Sequence, residues 1–385
     1  MLRRLLISFM LCCLTLPTAG LAGEADTMTL LAINVGKADC LILRSGHTTY
    51  MIDTGTVQSW GAVSAALRLN GITSLDGVIV THTDKDHAGG VWALATSGIP
   101  VGAWYASAFF CEVTEDKHPV VLAAAVRGET VRWLKSGDTL PLDGGTLTVL
   151  GPTVLFDDKE NNNSLVLYAE AAGGSMLLAG DMEEPEEQLL LAAGLITHAD
   201  VLKVGHHGEG DATSARLLDV VRPRVAVIST NSVEEPDTPS NRVMRTLKAV
   251  GAQIALTENA PGGVLATVSG GEVSARLLTW PAPPEAVTGV AITAKDAQAD
   301  TVTLKNEGSA AVDLSGWYLY SEKGKEIMVL PDGTALAPGE TLTVGTLTTQ
   351  AGADLIWPER NVWHNTKPDA AILYDAYGRE ISRAE

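Results

Sequence analysis

The chain has 385 residues, of which 46% are hydrophobic and 19% are charged, and its formal net charge is −19 at neutral pH. This length exceeds one ordinary hydrophobic core and predicts two domains, while the composition excludes an intrinsically disordered chain. The acidic excess disfavours tight non-specific binding to duplex DNA, because such binding needs a footprint of lysine and arginine.

The first 22 residues have the pattern of a secretory leader. Arg3 and Arg4 precede an apolar run over residues 5–16, and small residues up to Ala22 offer a cleavage site. The apolar run is too short to span a bilayer comfortably. We therefore predict that residues 1–22 are a signal peptide, that the mature protein is secreted, and that it has no transmembrane anchor after cleavage. An uncleaved membrane anchor is the less favoured alternative.

Residues 27–279 combine short β-like runs with helical segments in mixed order. Three β-like runs at 29–35, 40–44 and 48–52 are separated by glycine-containing turns, and a helix is predicted over residues 60–69. Further strands and helices follow without a simple repeat. This order predicts an α/β domain in which two sheets form the core and helices cover them.

Possible metal ligands concentrate in the segment His82-Thr-Asp84-Lys-Asp86-His87. A hydrophobic run over residues 75–80 leads directly into them, which predicts ligands at the mouth of a buried strand and a helix beginning near Asp86. Imidazole nitrogen and carboxylate oxygen are ligands for zinc, manganese and iron. A solvated polar loop is the alternative, but two more strand-like runs also end in ligand-type residues, namely Asp181, His206 and His207. Three such strands predict a metal site at one edge of a sheet.

These segments, with Asn-Val-Gly-Lys-Ala-Asp at 34–39 and Asn-Asn-Asn-Ser-Leu-Val-Leu at 161–167, come in the motif order of the metallo-β-lactamase superfamily. The sequence most resembles the ComEC-type branch, the hydrolase domain of DNA-uptake proteins. The resemblance covers residues 27–279. It implies an αββα sandwich and a site for two divalent metal ions, zinc or manganese.

The resemblance also implies a role for each ligand. The implied set is His82 and Asp84 on the first ion, Asp86 and His87 on the second ion, and Asp181 as the bridge. One of the two adjacent histidines would complete the second ion's site. We favour His206 because it comes first after the strand, and we give His207 a supporting or substrate-contacting role. The predicted catalytic residues are Asp86, Asp181 and His207.

Three departures from the superfamily pattern bear on the chemistry. Asp84 stands where many members have histidine, and its harder oxygen ligand shifts the preference towards manganese or a mixed site. No histidine stands at 161–164, so Asn163 and Ser164 are predicted to bind substrate, to ligate weakly or to hold the loop. Thr238 precedes Pro239 where many relatives carry a histidine that contacts developing charge.

Without a histidine before Pro239, a lysine near the motifs could contact the developing charge instead. Lys203 and Lys37 are candidate phosphate contacts, and we include Lys203 among the predicted substrate-binding residues. The alternative is that both side chains are solvated. Two cysteines of the mature chain, Cys40 and Cys111, either form a disulfide or remain free thiols, and the sequence does not choose between these states.

Residues 280–287, Trp-Pro-Ala-Pro-Pro-Glu-Ala-Val, form a proline-rich linker, and the composition changes after it. Residues 288–385 contain short runs rich in threonine and valine between glycine or proline turns, as in small β-sandwiches. Leu-Ser-Gly-Trp at 314–317 and Pro-Gly-Glu at 338–340 resemble the lamin-tail domain, an all-β immunoglobulin-like sandwich. We expect few contacts across the linker and a domain that folds independently.

Together these patterns predict an exported metal-dependent hydrolase, a phosphodiesterase or nuclease that uses a metal-activated water. The predicted substrate is a phosphodiester or nucleic-acid-like molecule, and the lamin-tail domain is expected to dock to a cell surface, a protein or a nucleic acid. Two alternatives stay open. One is a catalytically weak metal-binding or adhesion protein that acts through its lamin-tail domain, and the other is a hydrolase of β-lactamase or lactonase type.

Overall fold

The structure is a computed structural model that describes residues 26–349 and 352–385. The predicted signal peptide, residues 1–22, lies outside the described residues. Within these ranges, no helix combines the length and the apolar composition needed to cross a membrane. Cys40 and Cys111 are both free thiols, so the disulfide alternative is not realised.

The first half of the N-terminal domain contains six strands and four helices. In chain order these are β1 (Thr27–Ala32), β2 (Leu41–Ser45), β3 (Thr48–Ile52), α1 (Trp60–Leu69), β4 (Gly77–Val80), α2 (Lys85–Ala88), α3 (Val91–Thr96), β5 (Trp104–Ser107), α4 (Pro119–Val126) and β6 (Val131–Leu134). The single helix predicted from Asp86 onwards is two short helices, because the chain passes through Gly89 and Gly90 between them.

The second half contributes nine strands and three helices. In chain order these are β7 (Thr139–Leu142), β8 (Gly145–Gly151), β9 (Val166–Ala171), β10 (Gly174–Leu178), α5 (Glu184–Ala192), β11 (Val201–Lys203), α6 (Ala215–Val221), β12 (Val225–Ile228), α7 (Asn241–Ala249), β13 (Gln253–Leu256), β14 (Val264–Ser269) and β15 (Glu272–Leu277).

The strands of this domain form two sheets. The first has the order β15-β14-β1-β2-β3-β4-β5-β6, and it is parallel from β3 to β6. The second has the order β13-β12-β11-β10-β9-β8-β7, and it is parallel from β10 to β13. The hairpin of β14 and β15 joins the first sheet because β14 pairs with β1 at the start of the chain.

The two sheets pack face to face with helices on both outer sides. Leu30 and Leu43 of the first sheet lie in one buried cluster with Leu147 and Leu167 of the second, so the central core is the space between the sheets. Helices α1, α3 and α4 cover the first sheet, whereas α5, α6 and α7 cover the second. This arrangement confirms the predicted αββα sandwich.

The C-terminal domain is entirely β. Its strands are β16 (Val290–Asp296), β17 (Thr301–Asn306), β18 (Val312–Asp313), β19 (Tyr318–Ser321), β20 (Ile327–Val329), β21 (Ala335–Leu336), β22 (Thr341–Thr346), β23 (Leu355–Trp357), β24 (Ala371–Tyr374) and β25 (Glu380–Ala384). Two four-stranded sheets, β16-β17-β22-β23 and β20-β19-β24-β25, enclose a core that contains Trp317, Trp357 and Trp363. The all-β sandwich predicted for this segment is confirmed.

The two domains share a continuous apolar interface, which differs from the expected scarcity of contacts across the linker. Tyr318 and Ile372 of the C-terminal domain lie in the same buried cluster as Trp60 and Val63 of α1. The linker pattern concerns only residues 280–287 and carries no information on this face. The outer side of the β20-β19-β24-β25 sheet is rich in tyrosine and isoleucine, and it covers α1 and α3 as a further layer.

Close backbone approach and hydrogen bonds complete this interface. A Cβ atom at Gly61 would lie 2.6 Å from Cα of Gly378, so a side chain at either position would separate the domains. The Ser64 hydroxyl donates to the carbonyl oxygen of Ala376 at 3.0 Å, and both groups are buried. The C-terminal domain is therefore packed against the hydrolase domain in a specific orientation.

Candidate metal centre

The predicted ligands meet where the ends of the two sheets face each other. His82 and the residues up to α2 follow β4 of the first sheet, whereas Asp181 follows β10 and His207 follows β11 of the second. The sequence predicted a single sheet edge, but the ligands come from both sheets. The packed core between the sheets thus fixes the separation of the two ligand groups.

Four side chains form a compact group, namely Asp86, His87, Asp181 and His207, and one ligand atom from each lies within 4.8 Å of the others. Nε2 of His207 is 3.3 Å from Nε2 of His87, 3.4 Å from Oδ2 of Asp86 and 3.5 Å from Oδ2 of Asp181. Nε2 of His87 is 3.2 Å from Oδ1 of Asp181. Two imidazoles and two carboxylates around one point are a donor set for a divalent transition metal.

His82 and Asp84 form a pair beside this group. Nε2 of His82 is 3.6 Å from Oδ2 of Asp84, and the imidazole rings of His82 and His87 are 4.2 Å apart between centroids. The His82 side chain is fully buried, whereas Asp84 is one-third exposed. The pair offers one nitrogen and one oxygen ligand next to the four-residue group, on the side open to solvent.

The adjacent histidines occupy the reverse of the predicted positions. His207 is fully buried within the four-residue group, whereas Nε2 of His206 lies 4.0 Å from the nearest Asp181 oxygen. His206 instead belongs to a second group with Glu183 and Asp211, and its Nδ1 is 2.9 Å from Oδ1 of Asp211. Both histidines have left-handed backbone angles, with φ of 46° and 54°, and the second histidine turns inward. Two histidines with helical or extended backbone angles would not place His207 in the four-residue group and His206 in the second group.

Hydrogen bonds at Nδ1 leave Nε2 of each buried histidine directed at the site. Nδ1 of His87 is 2.7 Å from Oδ2 of Asp53, and Nδ1 of His207 is 3.0 Å from the carbonyl oxygen of Ser229. Nδ1 of His82 lies 3.1 Å from the Ser164 hydroxyl. Because Asp53 and the Ser229 carbonyl can only accept, each ring donates from Nδ1, and in the neutral imidazole the Nε2 lone pair is the one that can bind a metal.

The charges of the site favour a cation. Burial alone would raise the pKa of the Asp181 carboxyl, yet His87 and His207 hold it well below its usual value. Burial would likewise lower the pKa of His207, but the carboxylates of Asp181 and Asp86 raise it to about 9. These buried carboxylates stabilise the positive charge of a protonated imidazole. They would also stabilise a divalent ion at the same place.

The three residues predicted to bind substrate are instead held inside the protein. Ser164 is buried, and its hydroxyl accepts from the backbone N–H of Asp181 at 3.1 Å. The Asn163 side chain is buried and bonds in both directions to the backbone of Phe156. Lys203 is fully buried and pairs with Asp39, at 2.8 Å between Nζ and Oδ2. All three side chains are therefore bonded to neighbouring segments of the protein and are not exposed at the open side.

The residues that support the ligands have weaker signals in the sequence than the ligands themselves. Asp53 follows β3 much as His82 follows β4, and that shared position after a strand was the available signal. Asp39 lies in the motif at 34–39, but nothing in the motif predicts a partnership with Lys203 across the two sheets. The Ser229 contact has no signal in the sequence, because it uses a backbone carbonyl.

The residues present fit the metal centre that the resemblance implies. Nε2 of His82 and Oδ1 of Asp181 are buried and have no hydrogen-bond partner among the described residues. Buried polar atoms without partners are rare, and here they face the same space as the four-residue group. A bound divalent ion would satisfy both atoms, so the donor set and the unsatisfied atoms agree.

Comparisons with known proteins agree with this geometry. A family model described as the metallo-beta-lactamase superfamily matches residues 33–232, and the lamin tail domain model matches residues 283–385. ComE operon protein 3 of Bacillus subtilis is 28% identical over 281 residues, which are 67% of this chain and 35% of that protein. Competence protein ComA of Neisseria gonorrhoeae is 27% identical over 228 residues, covering 58% and 30% of the two chains.

The chain therefore spans about a third of the length of these curated relatives. Among solved structures, the metallo-beta-lactamase fold protein YhfI from Bacillus subtilis is similar, with 13% identity and a TM-score of 0.41, over 63% of this chain and 99% of that one. The superfamily model covers more than half of the chain and includes every residue of the metal centre. The protein belongs to the metallo-β-lactamase superfamily, with ComEC-type relatives and a C-terminal lamin tail domain.

Proposed function

We propose that this protein is an exported, metal-dependent phosphodiesterase that acts on nucleic-acid-like substrates. The observation that carries the proposal is the buried group of Asp86, His87, Asp181 and His207, with His82 and Asp84 beside it on the open side. Oxygen ligands from three aspartates suit manganese as well as zinc. The resemblance of the segments between residues 34 and 208 to the ComEC-type branch, together with the ComEC-type relatives, supports a phosphodiester over a lactam.

The chain would hold two divalent ions with these residues. Asp86, His87 and His207 would serve one ion, His82 and Asp84 the other, and Asp181 both, as the resemblance to the superfamily implies. Such ions polarise a phosphoryl oxygen and lower the pKa of a bound water. Asp53 and the Ser229 carbonyl keep the histidine rings in the required orientation.

The charge of the protein favours a short or single-stranded substrate. A net charge of −19, made more negative by two when Arg3 and Arg4 leave with the signal peptide, repels a long duplex at a distance. A single phosphodiester at a local metal centre meets less of this repulsion than a rigid polyanion does. We infer that the preferred substrate is small or flexible.

Export and docking complete the proposal. The basic residues and apolar run before Ala22 support secretion, and amino-terminal sequencing of protein recovered from the culture medium should begin at Gly23. The lamin tail domain would dock the enzyme to a cell surface, a protein or a nucleic acid. Recovery of uncleaved protein in the membrane fraction alone would contradict the export proposal.

The activity is tested with the mature protein, residues 23–385, supplied with manganese or zinc. We expect turnover of bis(p-nitrophenyl) phosphate and of single-stranded oligonucleotides, more with manganese than with zinc, and little hydrolysis of nitrocefin. Asp181→Ala should lower kcat/KM by about 10³-fold or more, equivalent to about 4 kcal/mol of transition-state stabilisation.

His47→Ala is the matched control, because His47 is an exposed histidine in the turn between β2 and β3. Rapid nitrocefin turnover without any phosphodiester cleavage would favour the β-lactamase alternative. Fully metallated protein that turns over none of these substrates would favour the binding-protein alternative.

A further inference from the structure

Lys37 lies beside the metal centre on the segment that joins β1 to β2. The backbone N–H of Asp39 donates to the carbonyl oxygen of Asp86 at 3.1 Å, and the N–H of Gly55 donates to the carbonyl oxygen of Asp39 at 2.7 Å. These bonds fix the segment against the loop that carries the ligands. Lys37 is two residues before Asp39, and its side chain is 22% exposed.

The Lys37 ammonium is paired with Glu209, a residue that follows the two histidines. Nζ of Lys37 contacts Oε1 of Glu209, and that oxygen lies 4.0 Å from Nε2 of His206. Nε2 of His206 is in turn 4.0 Å from Oδ2 of Asp181. Three side chains, Lys37, Glu209 and His206, thus form a rim that leads from solvent to the ligand group.

The surroundings of Lys37 keep it positively charged. Burial alone would lower its pKa, but the hydrogen bond and charge of Glu209, with the charges of Glu235 and Asp86, raise it. Asp86 is a proposed metal ligand, and its effect on Lys37 shows that the ammonium is electrostatically close to the site. Lys203 does not compete for this role, since it is fully buried with Asp39.

A phosphodiester at the metal centre brings a negative charge to this rim. Its non-bridging oxygens need donors in addition to the metal ions, and Thr238 stands where relatives carry a histidine. An ammonium held by a surface carboxylate can exchange that partner for a phosphate oxygen at small loss, because one charge-assisted hydrogen bond replaces another. Glu209 is one-third exposed, so it can turn to water when its partner leaves.

We propose that Lys37 is the side chain that binds the scissile phosphate, and that Glu209 holds the ammonium in place until an anionic substrate displaces it. The inference rests on the proposed function and names a substrate-binding residue for that site. The sequence named both Lys37 and Lys203 as candidate phosphate contacts, and the burial of Lys203 leaves Lys37 as the residue placed for this role. The chemical group that Lys37 would bind is the monoanion of a phosphate diester.

Binding is measured by isothermal titration of dimethyl phosphate, a diester that resists cleavage, into the metal-loaded mature protein. Lys37→Met should weaken binding by about 10-fold or more, because a hydrogen bond to a charged group is lost. Lys37→Arg should restore part of the affinity. Glu209→Gln should strengthen binding several-fold, because the competing carboxylate is removed.

Lys248→Met is the matched control, since Lys248 is an exposed lysine on α7. Metal content and melting temperature are recorded for each variant. A local folding defect would weaken binding in both rim variants, whereas the proposal requires Lys37→Met and Glu209→Gln to change affinity in opposite directions. Equal affinity in Lys37→Met and the unmodified protein overturns the proposal.

Kinetics with bis(p-nitrophenyl) phosphate separate this inference from the proposed function. Dimethyl phosphate binding that depends on Lys37, without any turnover, supports the phosphate contact and contradicts the phosphodiesterase. Turnover with the same kcat/KM in Lys37→Met supports the phosphodiesterase and contradicts the role of Lys37.

Discussion

The hydrolase domain has two contrasting surfaces, the metal centre at the sheet ends and the helical face that packs on the lamin tail domain. At the metal centre, Nε2 of His82 and Oδ1 of Asp181 are buried without hydrogen-bond partners in residues 26–349 and 352–385. At the domain interface, aromatic and aliphatic side chains fill one cluster, and the buried Ser64 hydroxyl has a partner in Ala376. Clustered histidine and carboxylate groups mark the surface that we propose to bind metal, whereas apolar side chains hold the domains together, although the buried indole N–H of Trp60 lacks a hydrogen-bond partner among the described residues.

The first test concerns the metal centre and changes Asp53, which accepts a hydrogen bond from His87. Asp53→Asn replaces the carboxylate oxygen that accepts from Nδ1 of His87 with an amide that cannot serve both neighbours equally well. We expect metal affinity to fall 10- to 100-fold, about 1.4 to 2.8 kcal/mol, measured by competition with a chelator. The exposed Glu272→Gln is the control. An unchanged affinity for Asp53→Asn would show that this bond does not orient the ligand.

The domain interface can be broken with a single methyl group. Gly61→Ala places a Cβ 2.6 Å from Gly378 and should lower the free energy of unfolding by about 1–3 kcal/mol, as overpacking does. Helix propensity alone would predict the opposite sign, since alanine is the better helix former. Calorimetry should show one transition for the unmodified protein and two for Gly61→Ala.

Gly210→Ala is the matched control, because no atom lies within 4 Å of its added Cβ. Two separate transitions in the unmodified protein would support the independent domains expected from the linker alone. That result would mean that the apolar interface adds little to the stability of either domain.

Glu186 allows a comparison with the buried polar groups of the metal centre. Its carboxyl is also buried and has no hydrogen-bond partner among the described residues, but it lies outside the ligand group. Burial raises its pKa well above the usual value. The folded state therefore holds a proton that the unfolded state releases near pH 4.5, so this group's contribution to stability falls as pH rises above that value. Glu186→Gln should increase stability by about 1 kcal/mol or more at pH 8 and leave it nearly unchanged near pH 4.

The measurement is chemical unfolding of both proteins across this pH range, with metal content recorded in parallel. Glu184→Gln is the control, since Glu184 is in the same helix turn and its side chain is 43% exposed. A loss of bound metal in Glu186→Gln would place Glu186 with the ligands. Stability that is independent of this substitution at pH 8 would show that its carboxyl is solvated.

The sequence predicted the features that are local in the chain. The β3 strand was predicted with its observed bounds, and the segment from His82 to His87 was predicted as a ligand source because its residue types stand side by side. The Leu-Ser-Gly-Trp segment marked the predicted β-sandwich, and its Trp317 is buried in the core of that domain. Hydrophobic periodicity and ligand chemistry suffice for such features.

Features that depend on non-local contacts were not predictable. The pairing of β14 with β1 joins residues about 240 apart, and no periodicity specifies it. The choice between His206 and His207 depends on two left-handed backbone angles, and the burial of Lys203 depends on Asp39 from the facing sheet. The apolar interface with the lamin tail domain was not predictable from the sequence. The helices on one side and the sheet on the other each resemble an ordinary surface element.

The most direct test of the metal centre is elemental analysis of the unmodified protein, His207→Ala and His206→Ala, all produced with zinc and manganese supplied. The account predicts one to two transition-metal ions per chain in the unmodified protein and in His206→Ala, and a loss of at least half of the metal in His207→Ala, because His207 belongs to the buried four-residue group. No metal in the unmodified protein, or a loss in His206→Ala with full retention in His207→Ala, would contradict it.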